Sequence, residues 1–198
     1  MRKRNYLITL LILFLVMGFK VRNSSEGILF DTALLEFIHN NSNPVLLSIM
    51  KFISFIGSGA FLFPAVGMVI IYFFIKKNHY ISKLLLLNTL GSFIFNYLLK
   101  QIFHRTRPLD FALVEQGGLS YPSGHSMVTM SMYLTIAFLL SRNMGEGKKK
   151  ITYTVALAYI LIMGISRMYL GVHWPTDIIG GFIMGYIFYY VTSLKVKE

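Results

Sequence analysis

The sequence has no cysteine, which removes disulfides, cysteine-ligated zinc and thiol nucleophiles from consideration. Acidic residues are scarce, eight against nineteen lysines and arginines, and charged residues make up only 14% of the chain. A soluble domain carries roughly 25%. In their place stand hydrophobic residues, 55% of the total, and a mean hydropathy of +0.62. This is the composition of a membrane protein. The net charge of +11 invites a nucleic-acid reading. The cations, however, lie mostly between apolar runs and form no solvated basic stripe, so nucleic acid is not an expected partner.

Apolar runs of about 20 residues, each long enough to cross a bilayer, divide the 198 residues into about six crossings within one domain, 1–198. The first covers about 6–22. It follows Met1-Arg2-Lys3-Arg4 and ends in Lys20-Val21-Arg22 without a small-residue cleavage site, so it reads as a retained anchor rather than a signal peptide. About 28–51 mixes Asp31, Glu36 and His39 with spaced apolar residues and an Asn-Asn-Ser-Asn-Pro break. That pattern predicts interfacial helices between the first and second spans. The remaining spans are expected at about 57–75, 84–103, 123–141, 151–168 and 175–193, with the lysine-rich turn Arg142 to Lys150 too charged to insert. The fold class expected is all-α and polytopic.

Lysine and arginine bias in the short loops sets the orientation. With the N-terminus inside, twelve cations fall on the inner side (Arg2, Lys3, Arg4, Lys76, Lys77, Lys83, Arg142, Lys148, Lys149, Lys150, Lys195 and Lys197) and seven outside (Lys20, Arg22, Lys51, Lys100, Arg105, Arg107 and Arg167). Both termini are therefore expected in the cytoplasm of a multi-pass cell-membrane protein. Three patches rich in unusual residues then share the extracytoplasmic face: Lys100 to Pro108, Tyr121 to His125, and Ser166 to Asp177.

Ionisable residues at membrane segments cost roughly 2.5–3.5 kcal/mol each on insertion scales and are read by default as functional. Lys100, Arg107 and Arg167 offer an ammonium and two planar forks that match phosphate oxygens. Any one alone reads rather as a basic chain snorkelling to headgroups; the group beside two histidines does not. In Pro122-Ser123-Gly124-His125, Ser123 is a good N-cap, Gly124 lets a ligand approach the backbone, and the free N–H groups of a helix start favour an anion. His125 would stand beside that anion with a proton to give or take. Trp174-Pro175 places His173 just before the last helix and Asp177 in its first turn, so the carboxylate can orient the imidazole in the manner of a base and its orienter. The plainer alternative is that Asp177 only caps that helix. His104 and Arg105 either widen a basic rim or meet headgroups, and the GxxxG of Gly181 and Gly185 fits close packing within the bundle or dimerisation.

The run Lys100-(six residues)-Arg107-Pro108, then Pro122-Ser123-Gly124-His125, then Ser166-Arg167-(five residues)-His173-(three residues)-Asp177 resembles, complete and in order, the three-part signature of the type 2 phosphatidic acid phosphatase superfamily. The resemblance implies a six-helix, metal-independent lipid phosphatase without a cofactor. In it His173 would form a phosphohistidine, oriented by Asp177. His125 would protonate the leaving oxygen and then activate water, while Lys100, Arg107, Arg167, Ser123 and the Gly124 N–H hold the phosphoryl oxygens. The small size and short loops resemble bacterial members acting on undecaprenyl pyrophosphate or phosphatidylglycerol phosphate; phosphatidic acid is a third candidate, taken sideways from the outer leaflet. A phosphotransferase using the same histidine is the near alternative. An anion transporter is the distant one, since the spans at about 57–75 and 151–168 have almost no ionisable residue in mid-membrane. A zinc site of His125, His173 and Asp177 is disfavoured by the cations around it.

Overall fold

The computed structural model describes residues 2–195; Lys197, counted above among the inner cations, lies outside the described residues. Among these residues the chain is helical, with no strand. The helices are α1 (Arg2–Lys20), α2 (Asp31–Asn40), α3 (Pro44–Ile56), α4 (Gly59–Ile75), α5 (His79–Leu86), α6 (Ser92–Phe103), α7 (Gly124–Ser141), α8 (Glu146–Tyr169) and α9 (Pro175–Lys195). A π-helical turn, Leu87–Gly91, joins α5 to α6 into one continuous helix.

Three stretches among the described residues are long and apolar enough to cross a bilayer: His79–Phe103, Gly124–Ser141 and Glu146–Tyr169. The pair α3 and α4, bent by 43° at Gly57 and Ser58, makes a fourth if counted as one span. Large apolar side chains such as Phe74 and Ile75 of α4 or Ile151 and Val155 of α8 face outward. In water that surface would aggregate; in lipid it is the expected exterior.

Local chemistry explains where the helices begin. Asn43 accepts the Leu46 N–H at 2.9 Å ahead of Pro44 at the first position of α3, and Asn78 accepts the Ile81 N–H at 3.2 Å ahead of α5. Helix α8 starts at Glu146 and so takes Lys148, Lys149 and Lys150 into its first turns, earlier than the expected 151. A helix needs no membrane around its end, and Glu146 in the first turn suits the dipole there and pairs with Lys149 at 3.5 Å. Likewise α5 extends the third span back to His79.

Helix α7 is the axis of the bundle, packed against α8 and α9, and most of its length is buried. Contact with α9 is backbone to backbone. A Cβ on Gly181 would stand 2.7 Å from Ser123 O, and one on Gly185 would stand 2.5 Å from Met127 O. The Gly181 and Gly185 pair thus serves packing inside the bundle. The π turn is met from α7, where Ser131 donates to Asn88 O at 2.7 Å. Ends rather than middles define the functional face: the last turns of α6 and α8 and the first turns of α7 and α9 converge there.

Candidate active site

A cavity of about 510 Å³ opens at this face. Its polar wall includes Lys100, Arg107, Gly124, His125, Arg167 and His173, with Ser54, Asn96, Gln116 and Lys51 around them. Phe55, Leu62, Phe63 and Phe93 line the apolar side, and among the described residues no carboxylate lines the cavity. Of the expected site residues, Ser123, Asp177, His104 and Arg105 do not reach this wall.

Each position follows from a local cause. α6 ends where His104 adopts a left-handed conformation, φ 49°, with its N–H on Lys100 O at 3.0 Å. The chain then turns back, and Lys100 and Arg107 grip the returning loop. Lys100 Nζ donates to Leu119 O and, at 2.9 Å, to Ser120 O. Arg107 Nε donates to Gly117 O and Gly118 O at 3.1 and 3.0 Å, and Nη2 to Leu119 O at 3.2 Å. These two cations therefore organise the loop as well as facing the cavity. Burial, partly offset by the Asp177 charge, brings Arg107 down to about 10, so it stays cationic at neutral pH. The turn between α8 and α9 depends on Gly171, whose φ of +65° and contact with Phe111 O exclude a side chain.

His173 is buried in that turn. Its Nδ1 lies 3.3 Å from Asp177 Oδ2 and 3.3 Å from Ser120 Oγ, and its Nε2 lies 3.0 Å from Arg107 Nη1. A guanidinium can only donate, so the contact assigns the lone pair to Nε2 and the proton to Nδ1. Arg107 Nη1 also donates to Val172 O at 2.6 Å. Burial first, then the charges of Arg107, Lys100, Arg167 and His125, hold His173 well below the ordinary histidine value. It is a neutral base with its lone pair toward the cations.

Arg167 donates from Nη1 to Ser54 and from Nη2 to Gln116 Oε1 at 2.9 Å, while its Nε is buried without a protein partner. His125 Nε2 is also buried without one. Gly124 is tightly packed, since a Cβ there would stand 3.0 Å from Asn96 Oδ1, and Asn96 would have to shift to admit it. Ser123 precedes α7 as expected, yet its side chain makes no capping bond; it accepts the Ser126 hydroxyl at 3.1 Å, and its N–H donates to Asp177 O at 3.0 Å.

Arg105 corrects one expectation. It is no rim residue: its side chain is wholly buried and paired at 2.7 Å with both Asp31 and Asp177. A buried guanidinium requires anionic partners, and two carboxylates supply them. His104 remains exposed. Ser120, Asp31, Ser54 and Gln116 were not singled out in the sequence. Only Asp31 left a trace there, as one of few acidic residues that a buried cation could meet.

A wall of cations and two histidines, with unpartnered buried atoms on Arg167 and His125, suits a multiply charged oxyanion. The PAP2 superfamily matches residues 81–198. A phosphatidylglycerophosphatase B of Bacillus subtilis (strain 168) is 35% identical over 153 residues, 76% of this chain and 75% of that protein. An undecaprenyl-diphosphatase of Sulfolobus acidocaldarius is 26% identical over 193 residues, 93% of this chain and 88% of that one. The crystal structure of a transmembrane PAP2 type phosphatidylglycerolphosphate phosphatase from Bacillus subtilis superposes with a TM-score of 0.83 at 30% identity, covering 97% of this chain and 98% of the other.

Proposed function

The chain belongs to the PAP2 superfamily, and from that premise we propose that it is an integral membrane phosphatase hydrolysing the phosphomonoester or diphosphate of a membrane lipid through a phosphohistidine. The observation that carries the reading is the pair of buried, unpartnered nitrogens, Arg167 Nε and His125 Nε2, on the same cavity wall as Lys100, Arg107 and His173. A phosphoryl group supplies acceptors to such donors and charge to such cations.

In this mechanism His173 Nε2 attacks phosphorus, and Asp177 and Ser120 keep the proton on Nδ1. Lys100, Arg107, Arg167 and the Gly124 N–H hold the equatorial oxygens, where negative charge is spread in the transition state. Ser123, expected among the phosphoryl ligands, stands behind the wall: it accepts from Ser126 and backs the Gly124 and His125 end of the cavity. His125 protonates the departing oxygen, then takes a proton from the water that cleaves the phosphohistidine and regenerates His173. The cations and the network around Asp177 supply the electrostatics without a metal.

The lipid class is a phosphatidylglycerol phosphate, undecaprenyl pyrophosphate or phosphatidic acid, the first two being what relatives are named for. Phe55, Leu62, Phe63 and Phe93 give its tail an apolar way in from the bilayer. We place α1, α4, α5 with α6, α7, α8 and α9 as six crossings and α2 with α3 at the outer interface. Both termini are then cytoplasmic and the cavity extracytoplasmic.

The test is phosphate release by purified protein from the three lipids, chelator present, wild type beside His173→Ala. Release that disappears in the variant supports the histidine mechanism and ranks the substrates. Full activity in folded His173→Ala, or loss of activity on chelation, refutes it.

A further inference from the structure

Behind the cavity, on the side of His173 away from Arg107, the Asp177 carboxylate continues into a buried charged network in which the mechanism above gives Arg105 and Asp31 no individual role. Arg105 is at its centre, fully buried. Its Nη1 donates to Asp177 Oδ1 and to Thr176 Oγ1, both at 2.7 Å, and its Nη2 donates to Asp31 Oδ2 at 2.7 Å and Glu26 O at 3.2 Å. The guanidinium also stacks against Trp174, 5.3 Å from the ring centre. We propose that Arg105, anchored by Asp31, is a positioning residue: it sets the rotation and ionisation of the Asp177 carboxylate and, through it, the basic nitrogen of His173. The proposal rests on the reading that His173 is the nucleophile.

The two oxygens of Asp177 have separate partners. Oδ1 takes Arg105, whereas Oδ2 takes the Ser120 hydroxyl, the Trp174 N–H at 2.9 Å and His173 Nδ1 at 3.3 Å. Rotation of the carboxylate would break several of these at once, so Oδ2 is held toward the imidazole. A buried carboxylate also needs charge beside it to remain ionised, and Arg105 Nη1, at 2.7 Å from Oδ1, puts a guanidinium in direct charge-assisted contact with it.

Asp31 fixes the cation in turn. Its Oδ2 accepts Arg105, the Thr176 hydroxyl at 2.7 Å and the Ile28 N–H at 3.1 Å, while Oδ1 accepts the Thr176 N–H at 2.8 Å. That last donor belongs to the first turn of α9, where N–H groups have no partner within the helix. One carboxylate at the start of α2 thus secures both Arg105 and the helix start that carries Asp177.

A staple joining α2 to α9 would use the same contacts, and only titration separates the two roles. The charged and titratable groups facing Asp177 are Arg105 from the segment after α6, Lys100 from α6, Arg107 from the loop, His173 from the turn and Tyr121 before α7, with Asp31 of α2 behind Arg105. Loss of the nearest cation makes Asp177 harder to ionise, which moves the acid limb of kcat upward.

The experiment measures kcat, KM and the pH profile of detergent-purified protein on phosphatidylglycerol phosphate. Arg105→Gln is expected to lower kcat about 100-fold with KM changed less than about 3-fold, and to raise the acid limb by about one pH unit. Arg105→Lys keeps the charge but cannot span both carboxylates, so it restores the limb and only part of kcat. Asp31→Asn leaves the guanidinium beside Asp177; it is expected to lower kcat about 10-fold with no upward shift. An unmoved acid limb in Arg105→Gln, or no folded protein from either Arg105→Gln or Asp31→Asn, assigns the network to stability and overturns the proposal. His173→Ala in the same assay separates the two readings. If it is inactive while Arg105→Gln keeps the wild-type profile, only positioning fails; if it is active, the phosphohistidine mechanism fails.

Discussion

Arg107 Nη1 stands 3.0 Å from His173 Nε2 and points a donor at the lone pair. The guanidinium fork serves Val172 O from the same nitrogen and the 117–119 carbonyls from the others. An ammonium reproduces the charge and none of this geometry. Arg107→Lys is therefore expected to retain the fold and to lose about 100-fold to 1,000-fold in kcat, the size seen when one preorganised donor to a developing oxyanion is removed. Phosphate release under saturating lipid measures it; a kcat within a factor of about two of wild type refutes the role.

The same contact sets a pH dependence. His173 must be neutral to attack, and burial with neighbouring cations holds it well below its ordinary value. Activity should therefore persist as pH falls through about 6.5, the usual histidine range, and fail only lower. Replacing Arg107 by Met removes the second-largest cause of the depression, so the acid limb of kcat/KM should move upward, read against wild type on the same lipid.

Stability follows the corresponding sign. The folded state keeps His173 unprotonated where the unfolded chain binds a proton, so its contribution is complete above about 6.5 and falls as pH drops toward the depressed folded value. Thermal melts in detergent across that interval should show Tm declining, and His173→Gln should flatten the decline.

What could be read from the sequence were the positions where chain direction is dictated locally. Pro175 after Trp174, and Pro122 ahead of Ser123 and Gly124, mark helix starts, and the lengths of the apolar runs carry Lys100, His125, Arg167 and His173 to one end of the bundle. Contacts made across long separations left no local mark. Asp31 meets Arg105 from 74 residues away and Ser120 meets Asp177 from 57, and neither pair has a periodicity or spacing to betray it. Arg105 looked like a surface cation because an arginine beside headgroups and one buried between carboxylates have the same neighbours in sequence. The π turn at Leu87–Gly91 was equally hidden, since its contact with Ser131 comes from another helix, 43 residues away.

Close approach of α7 and α9 carries a prediction about the scaffold. Gly185 faces Met127 O at a distance where an added Cβ would stand 2.5 Å away, and Gly181 faces Ser123 O at 2.7 Å. Both obstacles are backbone, which cannot rotate aside as a side chain would. Gly185→Ala should therefore force the helices apart and cost about 1–3 kcal/mol, the range for overpacking a filled interior. Gly181→Ala should add a loss of activity, because Ser123 adjoins Gly124 and His125 on the cavity wall. Gly67, in the middle of α4, has nothing within 4 Å of its Cβ position. There the same substitution should be neutral or should stabilise by up to about 1 kcal/mol, as alanine replaces glycine inside a helix. Melting temperatures of the three variants in one detergent test the contrast. A Gly185→Ala protein that melts with Gly67→Ala would mean the α7 and α9 backbones are not in contact.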